Sequence, residues 1–161
     1  MHDGGIAHYI GDCLDRLVGA GLGSLPGTAA EILDDVVRAT LCPDKLTTQQ
    51  WLAIVEAGAR RALRTTPTIM FAHIDRPEHW ARHLMHIRDL QERTDAFNEF
   101  VPLSFIPFHT MLGRTHGIEE ISREENLKHT AVFRLALGKS VRSLQASWVK
   151  MGLDAATEAL D

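Results

Sequence analysis

Threonines, an apolar run, a histidine and an aspartate follow one another in Thr65–Asp75, the stretch of this sequence with the clearest potential for chemistry. Its apolar centre predicts a buried strand, and His73 then lies just beyond the carboxyl end of that strand. Ligands bind at this end of the strands in parallel α/β folds. A neutral imidazole there can hydrogen-bond a substrate hydroxyl or transfer a proton near neutral pH. The alternative is a histidine that only caps the loop before Pro77.

The side chains of the predicted strand alternate between two faces. One face carries Thr66, Thr68 and Met70, and the other carries Thr65, Ile69 and Phe71. The hydroxyl groups of Thr66 and Thr68 are candidates to bind a polar substrate. The alternative is that these β-branched residues simply suit a strand.

Three further candidates lie outside this stretch. Glu31 follows Thr28 at the spacing of a capping box, so we predict that a helix begins there and that Glu31 has a structural role in it. His109 and His116 lie in a long connection, residues 108–117, and connections of this kind often bind ligands. Substrate contact by one of these histidines is one hypothesis, and a solvated loop is the alternative.

A last strand is predicted over Leu144–Val149. Gln145 and Ser147 would share one face of it, while Trp148 would pack against outer helices. Lys150 follows and could bind an anionic group such as a carboxylate. The alternative is an exposed lysine at the end of a strand.

Three histidines, His79, His83 and His86, recur at a spacing that places them on a narrow arc of one helix. Such spacing can hold a metal ion. No carboxylate or cysteine accompanies them at ligand spacing. The sequence therefore favours a half-buried helix face, and we predict no metal site.

Strands and helices alternate along the chain. The predicted strands are Leu22–Pro26, the central stretch that begins at Thr65, Asn98–Leu103 and Leu144–Val149. The predicted helices are Tyr9–Val18, four helices that open with the capping-box pairs Thr28/Glu31, Thr47/Gln50, Asp75/Glu78 and Ser122/Glu125, and a last helix from about Leu153.

This alternation predicts an α/β fold with about four parallel strands and outer helices. A closed eight-stranded (β/α) barrel needs about 250 residues, and this chain has 161. We therefore expect a single domain over residues 1–161 that forms a partial (β/α) barrel. The alternative is a small, complete, open α/β sheet.

Composition narrows the class of protein. The net charge of −4 gives no electrostatic basis for nucleic-acid binding. No apolar run approaches the ~20 residues of a membrane span, and the first residues do not form a secretory signal. Two cysteines are too few for a disulfide framework, so we expect a reduced, cytoplasmic setting without a membrane or nucleic-acid partner.

Four stretches together resemble a known family. They are Leu25–Leu33 (LPGTAAEIL), Thr65–His73, Arg88–Gln91 with Glu99–Leu103, and Gln145–Lys150 (QASWVK). Their order and spacing resemble the radical S-adenosylmethionine (radical SAM) enzymes that make the deazaflavin chromophore, the FO synthases, here of the tyrosine-utilising CofH type. The related menaquinone enzymes, aminofutalosine synthase and the futalosine cyclase, share much of the pattern.

The resemblance implies a barrel that binds S-adenosylmethionine and a 4Fe-4S cluster. Family members hold the cluster through a Cys-x-x-x-Cys-x-x-Cys run near the start of the barrel, and this chain has no such run. Reductive cleavage of S-adenosylmethionine there begins the reaction. A 5′-deoxyadenosyl radical attacks tyrosine, and the resulting 4-hydroxybenzyl fragment is joined to 5-amino-6-ribitylaminouracil. We therefore expect the N-terminal, cluster-binding half to be absent and this chain alone to be inactive.

The same resemblance suggests site residues. His73 would be catalytic, and Glu31 could contact the amino group of S-adenosylmethionine. The residues whose polar groups would face substrate are Thr66, Thr68, Gln145, Ser147 and Lys150. Two positions depart from the family pattern: Pro67 removes a backbone donor from the central strand, and Ala72 replaces the usual glycine before the histidine.

Two other functions remain open. The chain could be a non-catalytic half-barrel that binds the missing half or a second copy of itself, because a half-barrel exposes two strand edges and an apolar face. It could instead be a relative of aminofutalosine synthase, for which tyrosine would be the wrong substrate.

Overall fold

The computed structural model describes residues 3–160 of the chain, with side chains from Tyr9 onward. Eight helices and five short strands alternate along these residues. They are α1 (Asp3–Gly19), β1 (Ser24–Leu25), α2 (Asp35–Leu41), α3 (Thr48–Ala59), β2 (Arg64–Thr65), β3 (Thr68–Phe71), α4 (Pro77–Thr94), β4 (Glu99–Ser104), α5 (Met111–His116), α6 (Arg123–Leu137), β5 (Ser143–Leu144), α7 (Trp148–Met151) and α8 (Leu153–Glu158).

All strand pairs in the described residues are parallel, and they neighbour one another in chain order. β1 pairs with β2, while β3, β4 and β5 form a three-stranded sheet in that order. A single parallel bridge between Thr65 and Phe97 links the two groups. The predicted α/β class with parallel strands is confirmed. The strands form two small sheets and no closed barrel within residues 3–160.

The central strand has the two faces that its sequence predicts. Ile69 and Phe71 are fully buried in the core between the sheet and the outer helices, where they join Ile87 of α4 and Phe133 of α6. Thr68 also has little exposure, but it lies on the face that points away from these helices. Outer helices therefore cover one face of the sheet.

Pro67 divides the predicted central strand into β2 and β3. A proline has no amide hydrogen to donate within a sheet. Its carbonyl still accepts a hydrogen bond from the amide of Val101 at 3.0 Å. Gly27 approaches the chain at this break, since a Cβ atom on Gly27 would lie 2.0 Å from the carbonyl oxygen of Thr66.

Two of the predicted capping boxes are confirmed. Thr47 and Gln50 cap α3, and Ser122 and Glu125 cap α6, each with both reciprocal hydrogen bonds. Strand β4 confirms the prediction over Asn98–Leu103 to within one residue at each end. The two-residue strand β1 lies within its predicted range, and α8 begins at the predicted Leu153.

The predicted helix start at Thr28 and Glu31 is wrong. The helix begins at Asp35, after an N-cap at Asp34 whose Oδ1 accepts from the amides of Val36 and Val37 at 3.2 and 3.3 Å. Glu31 has a φ angle of 42°, in the left-handed region, which is incompatible with the first turn of a right-handed helix.

The predicted cap at Asp75 and Glu78 is also wrong, because the N-cap of α4 is Arg76. The amide of Arg76 donates to Nδ1 of His79 at 3.0 Å. The carboxylate of Asp75 instead accepts from the amides of Ala72 and His73. An aspartate can cap a turn before it as well as a helix after it, and the spacing alone does not distinguish the two.

The predicted last strand over Leu144–Val149 is wrong for most of its length. Strand β5 ends at Leu144, and the short helix α7 begins at Trp148. Trp148 is 63% exposed, so it does not pack against outer helices as predicted. Gln145 and Ser147 therefore do not share one face of a strand.

The described residues include no helix that is long and apolar enough to cross a bilayer.

Candidate active site

The carboxyl ends of the parallel strands form one edge of the molecule, which we call the carboxyl edge. Four segments follow these ends: residues 26–34 after β1, 72–76 after β3, 105–110 after β4 and 145–147 after β5. Most of the predicted site residues lie in these segments. Ligands of parallel α/β proteins bind at this edge.

His73 lies in the segment after β3 with its side chain fully buried. Its Nε2 is 3.0 Å from the carbonyl oxygen of Met70, and its Nδ1 accepts from the amide of Ile74 at 2.8 Å. Burial lowers the pKa of this imidazole, against an opposing effect of the Asp75 carboxylate. The ring is therefore neutral at pH 7, and both of its nitrogens have partners in the protein.

Asp75 organises the turn around His73. Its carboxylate accepts from the amide of His73 at 2.6 Å, from the amide of Ala72 at 3.2 Å and from the indole nitrogen of Trp80. Ala72 has a φ of 64°, in the left-handed region that favours glycine. The family resemblance leads us to expect a glycine at this position, and the positive φ explains why a glycine is preferred here. Sequence reasoning assigned Asp75 only to a helix cap and missed this role.

Glu31 lies in the segment after β1, beside the end of β3. Its backbone carbonyl accepts from the amide of Met70 at 2.7 Å, and its carboxylate forms an ion pair with the ammonium group of Lys45. The Glu31 side chain is 16% exposed. Both residues, with Cys42, Asp44 and Met70, line a cavity of about 290 Å³. Sequence reasoning did not identify Lys45, because nothing in the sequence shows that the α2–α3 connection folds back over this edge.

Arg38, a buried residue of α2, holds the segment that carries Glu31. Its guanidinium donates to the carbonyl oxygens of Ala30 at 2.6 Å, Ile32 at 3.1 Å and Ala29 at 3.4 Å. It also donates to the carbonyl of Leu46 in the α2–α3 connection. The acceptors flank Glu31 on both sides, so Arg38 fixes the backbone around it. The sequence pattern around Arg38 is that of an ordinary helix, so it did not predict that this arginine is buried and binds these carbonyls.

Two contacts from α4 hold the far end of the same segment. Nδ1 of the fully buried His83 accepts from the amide of Leu33 at 3.0 Å, and Arg82 donates to the Asp34 carboxylate at 2.6 Å. Burial lowers the pKa of His83 to about 3, so it is neutral at pH 7. His79 and His86 are half-buried, as predicted for this helix face. No cluster of three or more His, Cys, Asp or Glu suited to a metal ion occurs in the described part of the chain.

Of the two threonine candidates, Thr68 lies on the face of the sheet that points away from the outer helices, while Thr66 lies in the break between β2 and β3. The hydroxyl of Thr66 donates to the Glu99 carboxylate at 3.4 Å, while Thr68 is buried. Thr68 pairs with Val101 of β4, which shares this face. Thr68 thus lies on the face predicted for it, whereas the break at Pro67 leaves Thr66 outside the strand predicted to carry it.

His109 lies in the segment after β4 and is exposed, with a φ of 61°. Together with Phe108 and Arg114 it lines an open cavity of about 410 Å³. Thr110 caps α5 through a 3.0 Å bond from the amide of Gly113. The connection predicted as a long loop therefore contains a helix, which holds His109 at its N-terminal side.

The three candidates after β5 are not brought together on one strand face. Gln145 is exposed, and its amide donates to the carbonyl of Phe100 at 2.9 Å. Ser147 is the N-cap residue of α7, and Lys150 is half-buried within that helix. They remain at the carboxyl edge, but on a turn and a short helix.

The two thiols do not suit an iron–sulfur cluster. Cys13 is exposed on α1, while Cys42 is half-buried in the α2–α3 connection. Burial raises the pKa of Cys42, and this disfavours the thiolate that binds iron. Any cluster would need ligands from outside these residues.

This chain is similar to known proteins, and the similarity covers only part of the length of each. No protein-family model matches the sequence. The chain is 45% identical over 150 residues to the 5-amino-6-(D-ribitylamino)uracil–L-tyrosine 4-hydroxyphenyl transferase of Methanothermobacter thermautotrophicus. The aligned region covers 92% of this chain and 41% of the relative. The proteins with the same name from Methanocaldococcus jannaschii and Archaeoglobus fulgidus are 43% and 42% identical, over 89% and 92% of this chain and 40% and 43% of theirs.

The chain thus spans about two fifths of the length of the curated relatives it matches. These similarities confirm the resemblance that the four sequence motifs indicated.

Proposed function

We propose that this chain, which is homologous to part of the 5-amino-6-(D-ribitylamino)uracil–L-tyrosine 4-hydroxyphenyl transferases, forms the substrate side of such an enzyme. The reaction joins a 4-hydroxybenzyl group from tyrosine to 5-amino-6-ribitylaminouracil. The observation that carries the proposal is the 45% identity over 150 residues. The gathering of the predicted site residues at the carboxyl edge supports it.

The sheet supports a partial barrel as the architecture. Within each of the two small sheets the strands pair in parallel and in chain order, and the core shared with the outer helices lies on the face of Ile69 and Phe71. A (β/α) barrel has this arrangement, with active sites at the carboxyl ends of its strands. In the proposed enzyme, these strands form one arc, and the face that carries Thr68 looks into the barrel.

Within this arc the candidates other than Glu31 have the following proposed roles. His73 binds a substrate hydroxyl or transfers a proton once its bond to the Met70 carbonyl opens. Thr66, Thr68 and His109 offer polar contacts from neighbouring positions. Gln145, Ser147 and Lys150 contribute from the turn and helix after β5, where Lys150 can meet an anionic group.

The resemblance implies S-adenosylmethionine and a 4Fe-4S cluster as cofactors, and the cluster supplies the electron that cleaves S-adenosylmethionine. The thiols of this chain do not fit that cluster. We therefore propose that the chain is inactive by itself and that residues beyond it complete the enzyme. Since the relatives share the transferase name, the deazaflavin branch is favoured over the aminofutalosine branch.

Anaerobic reconstitution tests this proposal. The chain is mixed with the complementary N-terminal portion of the Methanothermobacter relative, S-adenosylmethionine, a reductant, tyrosine and 5-amino-6-ribitylaminouracil. We expect the coupled product by mass spectrometry from the mixture and not from either part alone. The full-length relative is the positive control. A mixture that stays inactive beside an active control would contradict the proposal.

The free strand edges favour a second candidate, a non-catalytic module that associates with another chain or with itself. In the described residues, β1 and β5 each pair on one side only. Free edges of this kind can pair with further strands. Size-exclusion chromatography with light scattering distinguishes the cases: a stable self-dimer that does not reconstitute activity would favour the module.

A further inference from the structure

A second cavity lies at the amino ends of the parallel strands, on the edge opposite the carboxyl edge. Arg64 begins β2, Asn98 directly precedes β4, and Arg142 directly precedes β5. Because the strands are parallel, these three residues meet at one edge, where they line a cavity of about 650 Å³. Asp95 and Lys139, which follow α4 and α6, complete its charged wall. We call this the amino-edge cavity.

The amino-edge cavity is positively charged, although the chain as a whole has a net charge of −4. Its lining contains the three cations Arg64, Lys139 and Arg142 and one carboxylate, Asp95. Three positive charges and one negative charge leave a net charge of +2 there at pH 7. All other lining residues except Phe97 are uncharged and polar, so the cavity favours an anion over an apolar ligand.

Contacts within the chain engage only part of this charge. Arg64 donates to the Asp95 carboxylate at 2.6 Å and also to the Asp95 backbone carbonyl. The hydrogen bond to the carboxylate, together with the charge of Arg142, lowers the pKa of Asp95, so this group is ionised at pH 7. Within residues 9–160, neither the Lys139 ammonium group nor the Arg142 guanidinium group has a hydrogen bond or an ion pair. Both cations are therefore free to bind a ligand.

Stabilisation of a helix end is the alternative role for such cations, since the C-terminal end of a helix attracts positive charge. Arg64 has this role at the end of α4, through its bond to the C-cap carbonyl. Two of the last carbonyls of α6 already have donors, from Arg88 and from the amide of Ser140, and Lys139 binds neither of them. Glu92, whose carboxylate lies 3.4 Å from the Ser140 hydroxyl, pairs with Arg88 rather than with Lys139. The internal contacts thus explain Arg64 but not Lys139.

We propose that the amino-edge cavity binds a phosphate-type oxyanion with two or more negative charges, and that Lys139 and Arg142 are its charged donors. The guanidinium fork of Arg142 matches the geometry of a phosphate group, while Lys139 acts as a point charge. The side-chain amide of Asn98, which has no partner within residues 9–160, is a third donor. The cavity exceeds the volume of one phosphate group, so it has room for the rest of a small phosphorylated molecule. The site lies on the opposite edge from the residues of the proposed function and does not depend on that function.

Titration with inorganic diphosphate tests the proposal. The whole 161-residue chain is observed by NMR at low and at high ionic strength. We expect saturable shifts of the amides of residues 139–143, an affinity that falls with added salt, and a melting temperature that rises with diphosphate concentration. Adenosine diphosphate in a parallel titration distinguishes the source of the phosphate group: tighter binding than inorganic diphosphate assigns an organic phosphate, and equal or weaker binding assigns an inorganic one.

Three variants assign the charges. Arg142→Gln and Lys139→Gln should each weaken diphosphate binding about tenfold, since each removes a charged donor. Asp95→Asn should strengthen it about threefold, because it removes the carboxylate that repels the ligand. Asparagine tolerates the left-handed backbone of Asp95, whose φ is 50°, so this variant keeps the turn.

An exposed ion pair of α6 supplies a matched control for each sign of charge. Lys128→Gln and Glu124→Gln change the net charge of the chain by the same amounts, but near the opposite end of α6 from the cavity. Both should leave the affinity for diphosphate within about twofold of the parent, because salt screens charges at such a distance.

The outcomes separate a site from general attraction between charges. An absence of saturable diphosphate binding at low ionic strength would overturn the proposal, as would an equal loss of affinity in Lys128→Gln and Lys139→Gln. Weaker binding by Asp95→Asn would contradict the role of charge. Lower melting temperatures of Lys139→Gln and Arg142→Gln without ligand, together with an unchanged affinity, would assign both cations to the stabilisation of helix ends instead.

Discussion

The segments after β1 and after β5 carry two of the four motifs of the family resemblance, yet the first segment is held by buried contacts and the second is exposed. Residues 26–34 after β1 are fixed by Arg38, His83 and the amide of Met70. Residues 145–152 after β5 form a turn and a short helix whose Trp148 and Val149 are 63% and 67% exposed.

This difference indicates that the two motifs have their residues for different reasons. Most positions after β1 have a partner within the described residues, so the motif builds a rigid support around one strained glutamate. The large apolar side chains after β5 face outward, so their identity is not explained by packing within residues 3–160. They are available to contact a ligand or another polypeptide. Five experiments probe this contrast, from the largest expected effect on stability to the smallest.

Gly27→Ala should cost about 3 kcal/mol or more in free energy of unfolding. The new Cβ would lie 2.0 Å from the Thr66 carbonyl oxygen, so the segment or the break at Pro67 must move. Urea denaturation followed by circular dichroism measures the loss. Gly19→Ala is the control, because a Cβ there meets no atom within 4 Å. Equal stability of the two variants would contradict the tight packing of the first segment.

Arg38→Met should cost about 2–3 kcal/mol, because the carbonyls of Ala29, Ala30 and Ile32 lose their buried donor. The same urea titration measures it. Arg114→Met, at an exposed position of α5, should stay within about 0.5 kcal/mol of the parent. A neutral Arg38→Met would mean that the segment after β1 holds its shape without this arginine.

Acid should weaken the protein through His83. Its pKa is about 3 in the folded state and 6.5 as the reference value, so below pH 6.5 the unfolded chain binds a proton that the folded chain does not. Stability therefore falls as pH decreases from 6.5 towards 3, by about 1.4 kcal/mol per pH unit and about 2 kcal/mol by pH 5.

The variant His83→Asn isolates this effect, since an amide can still accept from the Leu33 amide but does not titrate in this range. The difference in unfolding free energy between parent and variant, measured from pH 7 to pH 4.5, should shrink or reverse as pH falls. A constant difference would show that His83 binds its proton as readily in the folded state as in the unfolded state. His73, whose pKa burial also lowers, titrates in both proteins and cancels.

Ala72→Gly should stabilise the protein by about 1 kcal/mol, because it relieves an L-residue at a φ of 64°. Thermal denaturation should show a higher midpoint. Ala131→Gly, in the exposed face of α6, should have the opposite sign and lose about 1 kcal/mol. A loss of stability in both variants would indicate that the turn at His73 differs from the one described.

Trp148→Ser should change stability by no more than about 0.5 kcal/mol, since the side chain is 63% exposed. The buried Trp51→Ser is the contrast and should cost about 3 kcal/mol or more. Should Trp148→Ser approach the cost of Trp51→Ser, the segment after β5 would be a packing element, and the comparison of the two segments would fail.

The sequence predicted local features that depend on nearby residues. Alternation placed Ile69 and Phe71 in the core, and side-chain caps located the starts of α3 and α6 correctly. Prediction from the sequence failed where the backbone takes an unusual path. Glu31 has the spacing of a capping box but a left-handed backbone, and Pro67 divides a strand that the pattern predicts to be continuous.

The site was predictable only as an edge. The sequence placed His73 just beyond a strand end and Glu31 in a helix cap, but the partners that hold Glu31 come from distant parts of the chain. Lys45 reaches Glu31 from fourteen residues away and Arg38 binds carbonyls rather than a charged group, so neither has a recognisable spacing. The segment after β5 misled because its apolar residues resemble a strand, although they are exposed.

The chain-order pairing of the strands suggests where homologous enzymes can exchange parts. Asp95 and Gly138 end α4 and α6 with positive φ values of 50° and 52°, natural joints between successive units. A chimera that replaces residues 95–138 by those of a homologue would move β4, α5 and α6 as one cassette. Substrate preference that travels with the cassette would map selectivity to a single unit, and the remaining units would serve as its interchangeable neighbours.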